Sequence, residues 1–282
     1  MNGILVVDKP KGYTSRDVVN IVSKKLGIKK IGHTGTLDPI ATGVLVLCIG
    51  KCSKLSELLV STKKEYVAKV RLGIETDTLD ITGKVVKKQD NINISKQDIL
   101  KALDKFRGNI IQEVPKYSAV SVSGKRLYEY ARNNLEVELP KREVTIYDIE
   151  LLDNVWNKEF SFSCTVSKGT YIRSLIRDIG YSLNTYATMV ELRRVKQGSF
   201  SINEAYTLED IEKNNYKLLS PVEVLDMPKV IVNKDMEFKI KNGQVLKKFF
   251  SGEMAMILNQ NNELLAIYKD IDEGLVKPFK MF

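Results

Sequence analysis

The sequence predicts an α+β protein built on a mixed or antiparallel sheet. Three observations carry this. Short β-prone runs and helical periodicities follow one another without the regular β-α alternation of a doubly wound sheet. Tyr66, Ala68, Val70 and Leu72 alternate with Val67, Lys69 and Arg71, the period-two pattern of a strand with one buried face. The chain has 282 residues, 43% hydrophobic and 28% charged, which suffices for a sizeable core and excludes disordered, collagen-like and disulfide-scaffold classes.

Taken in order, Ile4–Val7 reads as a short buried strand that ends at the Pro10–Gly12 turn. Ser15 is the expected N-cap of a helix with Val18, Val22 and Leu26 on one face, stopped by Gly27. Residues 32–43 form an irregular loop, followed by a strand over Val44–Ile49. Ser95 with Asp98 makes a capping box before Ile99, Leu103 and Phe106, and Gly108 ends that helix. Residues 109–145 have little apolar content: β-prone runs flank Ser123-Gly124, then a polar, Tyr-bearing helix runs from Arg126 to Asn134. Strands are expected near 144–152 and 159–167, and Ile172, Leu175, Ile176, Ile179 and Leu183 mark one face of a helix. A strand near 188–195 and a helix capped by Thr207 complete the main body. Pro221 and Pro228 bracket a transition near residue 227, beyond which short runs at 230–232, 254–258 and 264–267 predict a small β-rich appendage.

Cysteine and histidine usage narrows the chemistry. Three cysteines without a C-x-x-C pair read as reduced thiols, and a single histidine, His33, excludes any site needing two imidazoles. No metal or other cofactor is expected. No apolar run approaches a membrane span and no secretory leader pattern is visible, so the expectation is a cytoplasmic protein without a membrane partner. The net charge is +9, and residues 1–64, 105–145 and 165–198 carry +7, +3 and +4, leaving the rest net acidic. Such segregation suggests a polyanion footprint gathered from separate stretches.

The loop Gly32–Gly43 is where chemistry is expected. Between Val18 and Ser56 the only acidic residue is Asp38, against six lysines, and nearby cations favour the ionised form. An ionised aspartate can act as nucleophile or general base, while the plainer reading is a turn-shaping residue before Pro39. Neither the Walker pattern nor the dinucleotide G-x-G-x-x-G pattern is present.

Here the sequence resembles the TruB-type bacterial tRNA pseudouridine synthases, which modify uridine 55 in the T-loop. The match is G-H-T-G-x-L-D-P-x-A-T-G at Gly32–Gly43, with V-D-K-P-x-G-x-T-S at Val7–Ser15, K-x-Y at Lys64–Tyr66, P-x-Y-S-A at Pro115–Ala119, S-K-G-T-Y-I-R at Ser167–Arg173 and Leu192-Arg193-Arg194. The resemblance implies a catalytic domain over 1–227 with an inserted RNA-gripping thumb at about 112–141, and a PUA-like RNA-binding domain over 228–282. It implies Asp38 as the catalytic aspartate, paired with Arg173, and Tyr66, Tyr171 and Leu192 as walls of the base pocket. His33 becomes the wedge that replaces an extruded base. Lys9, Lys64, Lys116, Lys125, Arg126, Arg132 and Arg193 become RNA contacts, with Tyr128 and Tyr130 packing the thumb. The implied partner is the T-arm of tRNA, bound by a monomer with no obligate protein partner. Rival readings are a guide-RNA-dependent synthase of the dyskerin type and a non-catalytic RNA-binding protein.

Overall fold

A computed structural model describes residues 1–60, 62–153, 156–271 and 274–282. Strand β1 (Gly3–Lys9), helix α1 (Ser15–Leu26), β2 (Ile31–His33) and β3 (Thr42–Ile49) lead through α2 (Ser56–Val60) to β4 (Lys64–Leu72). A hairpin of β5 (Ile74–Thr76) and β6 (Val85–Lys88), α3 (Lys96–Asp104) and β7 (Gly108–Glu113) follow. Residues 114–140 leave the sheet and carry β8 (Ser121–Val122), β9 (Lys125–Arg126) and α4 (Leu127–Arg132). The chain then forms β10 (Lys141–Leu151), β11 (Glu159–Val166), α5 (Ile172–Ser182), β12 (Ala187–Gln197), β13 (Phe200–Ser201), α6 (Leu208–Glu212) and α7 (Pro221–Val224). Its last part holds β14 (Lys229–Ile231), α8 (Lys234–Lys241), β15 (Leu246–Lys247), β16 (Met254–Leu258), β17 (Leu264–Ile271) and β18 (Leu275–Met281).

The main sheet has nine strands, with the path β1-β3-β12-β4-β11-β10-β7 and with β2 and β13 added on β3 and β12. Its pairs are antiparallel except β3 with β12, which run parallel, Thr42 opposite Arg193 and Gly43 opposite Arg194. A side chain at position 43 would meet the Arg194 carbonyl at 2.2 Å, and φ there is +102°, so only glycine lets the two strands close. The last part forms a five-stranded sheet, β14-β16-β17-β18-β15. Met256, Leu258 and Ile267 of that sheet share a hydrophobic cluster with Ile4, Val6, Val44 and Val46.

Several expectations needed correction. Thr14 caps α1, in a capping box with Asp17; Ser15 is the buried first helical residue and its hydroxyl bonds elsewhere. Gly27 ends the helix in the left-handed conformation, as expected. The excursion begins later than residue 112, because Gln112 and Glu113 pair with β10 through Arg142 and Lys141. The appendage contains α8, whose Asn233 cap was overlooked, and β18, whose Pro278 disguised it.

Candidate active site

The Asp38 loop is fixed from below by backbone capture. Ser15 Oγ accepts from Leu37 N at 2.8 Å, tying the loop to the start of α1. Lys9 Nζ donates to Tyr13 O at 2.6 Å and to the carbonyls of Pro10 and Pro39 at 3.0 and 3.5 Å. Lys9 is fully buried, so it is no surface phosphate contact: it is a brace under the residues flanking Asp38. Burial pushes its amine down to about 8, against the pull of Asp38.

Asp38 meets Arg173 in a two-bond pair. Arg173 Nε lies 2.9 Å from Oδ2, and Nη2 donates to Oδ1 at 3.2 Å. The same guanidinium donates to Thr78 O and Tyr117 O, each at 2.9 Å, so the β5–β6 turn and the excursion both hold it. Arg173 is therefore a buried cation engaged through all three of its nitrogens. The lysines of the loop region do not supply this charge. Burial raises the Asp38 carboxyl above the usual carboxylate range, and Asp80 adds to the rise, while Arg173 and then Lys9 oppose it.

The pair lies in a cavity of about 290 Å³ whose lining includes Tyr66, Tyr171, Leu192, Lys64 and Arg194. Tyr66 and Leu192 reach it from adjacent strands, β4 and β12, and both are buried. Lys64 and Tyr66 share the buried face of β4 by strict alternation. Tyr171 precedes α5, and Gln112 of β7 clamps its backbone, donating to Tyr171 O at 3.1 Å and accepting from Tyr171 N at 2.8 Å. The Arg142 guanidinium lies 5.7 Å from the Tyr171 ring centre. Sequence reading missed Gln112, Arg142 and Arg194. Gln112 sits between Ile111 and Glu113 in a largely polar strand, so nothing local marked it.

Four expected residues sit differently. His33 is at the end of β2, outside the cavity lining, with Nδ1 accepting weakly from Gly35 N at 3.4 Å. Burial, then Arg194 and Arg16, hold its imidazole below the ordinary histidine range, so it is neutral at pH 7. Lys64 is on the cavity floor, not on the outer surface. Arg193 is bound by Asp8, through Nη1 at 3.1 Å and Nη2 at 2.8 Å, while its neighbour Arg194 turns inward. Lys9, as above, is a brace.

Lys116, Lys125, Arg126 and Arg132 are exposed on the excursion. The Arg126 guanidinium also donates to Ala119 O, Arg132 lies over the Tyr128 ring, and Tyr130 Oη bonds Val122 O, so both tyrosines are packed. The three cysteines are buried free thiols that burial pushes upward, which removes them as nucleophiles. Among the described residues no group of three or more His, Cys, Asp or Glu side chains could hold a metal ion, and no helix is long and apolar enough to cross a membrane.

Comparison with known proteins gives consistent matches. Residues 23–172 match the model of the TruB family pseudouridylate synthase N-terminal domain, and residues 173–225 that of the tRNA pseudouridylate synthase B C-terminal domain. The chain is 42% identical to tRNA pseudouridine synthase B of Clostridium tetani over 96% of this chain and 93% of the relative. It is 39% identical to the protein of the same name from Bacillus subtilis, over 100% and 97%. Among solved structures, an H/ACA RNP bound to a substrate RNA containing 2'-deoxyuridine superposes with TM-score 0.71 at 26% identity, covering 99% of this chain and 84% of that one. A Cbf5-Nop10-Gar1 complex gives TM-score 0.70 at 28% identity, covering 96% and 79%. The expected architecture, a mixed-sheet pseudouridine synthase body with a PUA-like β-rich C-terminal part, is borne out.

Proposed function

The chain belongs to the TruB family of pseudouridylate synthases, and on that premise we propose that it isomerises uridine 55 in the T-loop of tRNA, acting alone. The observation that carries this reading is the Asp38–Arg173 pair set in a cavity walled by two tyrosines and a leucine. The reaction breaks the C1′–N1 bond, turns the uracil and joins C1′ to C5; the C5 proton leaves and N1 gains one. It needs no redox partner and no group donor. A uridine stacked in a folded loop must leave its stack to reach Asp38. Tyr66 and Tyr171 offer the extruded ring flat apolar walls, and Leu192 closes the third side. Arg173 opposes the rise that burial imposes on Asp38 and so favours the ionised carboxylate, the form that can attack a sugar carbon or base carbon. His33, neutral and outside the cavity, suits the space the uracil vacates.

The exposed cations of residues 114–140 suit phosphate contacts that orient the RNA without reading its sequence. We take 1–227 as the catalytic domain, with that excursion as its thumb, and 228–282 as a further RNA-binding domain, in a monomer. A guide-dependent mode has one observation in its favour, the likeness to H/ACA complexes. One experiment separates the two: incubate unmodified tRNA with this protein alone and map pseudouridine by carbodiimide labelling and reverse transcription. Modification at position 55 without a partner is expected. A tRNA left unmodified, or modified elsewhere, refutes the reading.

A further inference from the structure

The cavity floor carries charge that the Asp38–Arg173 pair does not use. Arg194 is 1% exposed. Its Nε donates to Val44 O at 2.7 Å and its Nη2 to Gly35 O at 3.1 Å, which leaves Nη1 without a hydrogen bond among the described residues. Nη1 lies 3.4 Å from where a Cβ would stand on Gly35, with Lys64 Cε at 3.6 Å and Gln197 Oε1 at 3.8 Å from the same point, so the Arg194 guanidinium and the Lys64 side chain pack beside one glycine. Lys64 is 8% exposed and donates to Val60 O and Thr62 O, each at 3.0 Å, with a third N–H left over. Neither side chain meets a carboxylate among the described residues. Asp38 is the single acid in the cavity lining, against Lys64, Lys168, Arg173 and Arg194, and Asp38 is already held by Arg173.

Burying two like charges such as Lys64 and Arg194 with no carboxylate bonded to either among the described residues is costly. Burial holds the Lys64 amine down at about 8, with Arg194 and then Lys168 adding to the shift, which places both within electrostatic reach of Lys64. Gly35, Lys64 and Arg194 all line the cavity where the uridine is proposed to bind. We propose that Arg194 and Lys64 form an anion subsite that binds an RNA backbone phosphate flanking the extruded uridine. This rests on the function proposed above. It differs from the thumb contacts because the cations are buried and preorganised, so the phosphate is gripped after extrusion and not on first encounter.

The test uses a T-arm stem-loop carrying a neutral methylphosphonate either 5′ or 3′ of the target uridine. Affinity and single-turnover release of C5 tritium are measured for the wild type, Lys64→Met and Arg194→Lys. At one of the two positions the methylphosphonate weakens wild-type binding about tenfold or more. In Lys64→Met the normal RNA loses a similar factor and the methylphosphonate adds less than twofold, a coupling that a merely structural lysine does not produce. The wild-type penalty also shrinks from pH 7 to pH 9.5 as Lys64 loses its proton. The groups facing Lys64 are Arg194 on β12, Lys168 after β11, Asp38 in its loop and Tyr66 on β4. Arg194→Lys, which keeps charge but loses the loop contacts, retains part of the coupling; if it misfolds, Lys64→Met still decides. Additive penalties at both positions overturn the subsite. If pseudouridine never forms in the all-phosphate RNA, the function itself falls, and the subsite with it.

Discussion

Replacing Arg173 by Met tests how the cavity keeps its carboxylate. The substitution removes two bonds to Asp38 and the two that tether Thr78 O and Tyr117 O, and leaves a half-buried carboxylate without a cation bonded to it. Breaking a buried pair from one side costs about 3–5 kcal/mol. Because 36% of the Asp38 side chain remains exposed, water in the cavity screens part of this, and the low end, about 3 kcal/mol, is expected. The loss depends on pH with a definite sign. Burial already raises the Asp38 carboxyl, and removing the largest opposing influence raises it further. A protonated Asp38 needs no cation, so the deficit is full at pH 8 and shrinks as pH falls through the variant's higher value. Urea denaturation of both proteins at pH 8 and pH 5 measures the gap, and single-turnover tritium release gives the rate. We expect the gap to narrow at pH 5, and turnover at pH 7 to fall by at least a hundredfold. A gap that stays constant between the two pH values would show that Arg173 acts by packing alone.

Asp38→Asn retains the loop shape and removes the charge, so tRNA binding should survive while turnover vanishes; retention of more than a tenth of the rate, roughly 1.4 kcal/mol of barrier, would rule out an essential nucleophile or base. Removing Lys116, Lys125, Arg126 and Arg132 together should flatten the slope of log affinity against log salt by up to about 4, close to one per lost phosphate contact, and an unchanged slope would move the footprint to other residues. For His33, a wedge predicts that Phe and Gln retain much of the rate and Ala loses more. Because the imidazole is held below its ordinary range, any titration due to His33 falls below pH 7, and a wedge predicts that the rate shows none there. Equal loss in Phe and Ala, with such a titration, would make His33 an acid or base instead.

What was legible in the sequence was set by local pattern. The alternation at 66–72 gave β4 and its buried face, and the Ser95–Asp98 box gave the start of α3, because each signal depends on residues two to four apart. What stayed hidden depends on which face a side chain takes in a sheet whose neighbours are far apart in sequence. Arg193 and Arg194 are adjacent on β12, so one must point to each side, and nothing local says which. The parallel pairing with β3 decides it. It sets Gly43 against the Arg194 backbone and brings Asp8, from β1 on the far side of β3, within reach of Arg193, so Arg194 takes the cavity side and its guanidinium falls between Val44 O and Gly35 O. Lys9 misled for the same reason. Charge counted along the chain treats every lysine as surface, yet the carbonyls of Pro10, Tyr13 and Pro39 converge on one point and need a donor there. The glycine-rich loop exposes its own backbone acceptors as it turns, and three cations from other elements, Lys9, Lys64 and Arg194, close in around it. The cations named here are thus of two kinds. Those of the excursion are exposed, whereas Lys9, Lys64 and Arg194 are buried against the Asp38 loop, where Lys9 and Arg194 hold its carbonyls and all three leave its cavity electropositive.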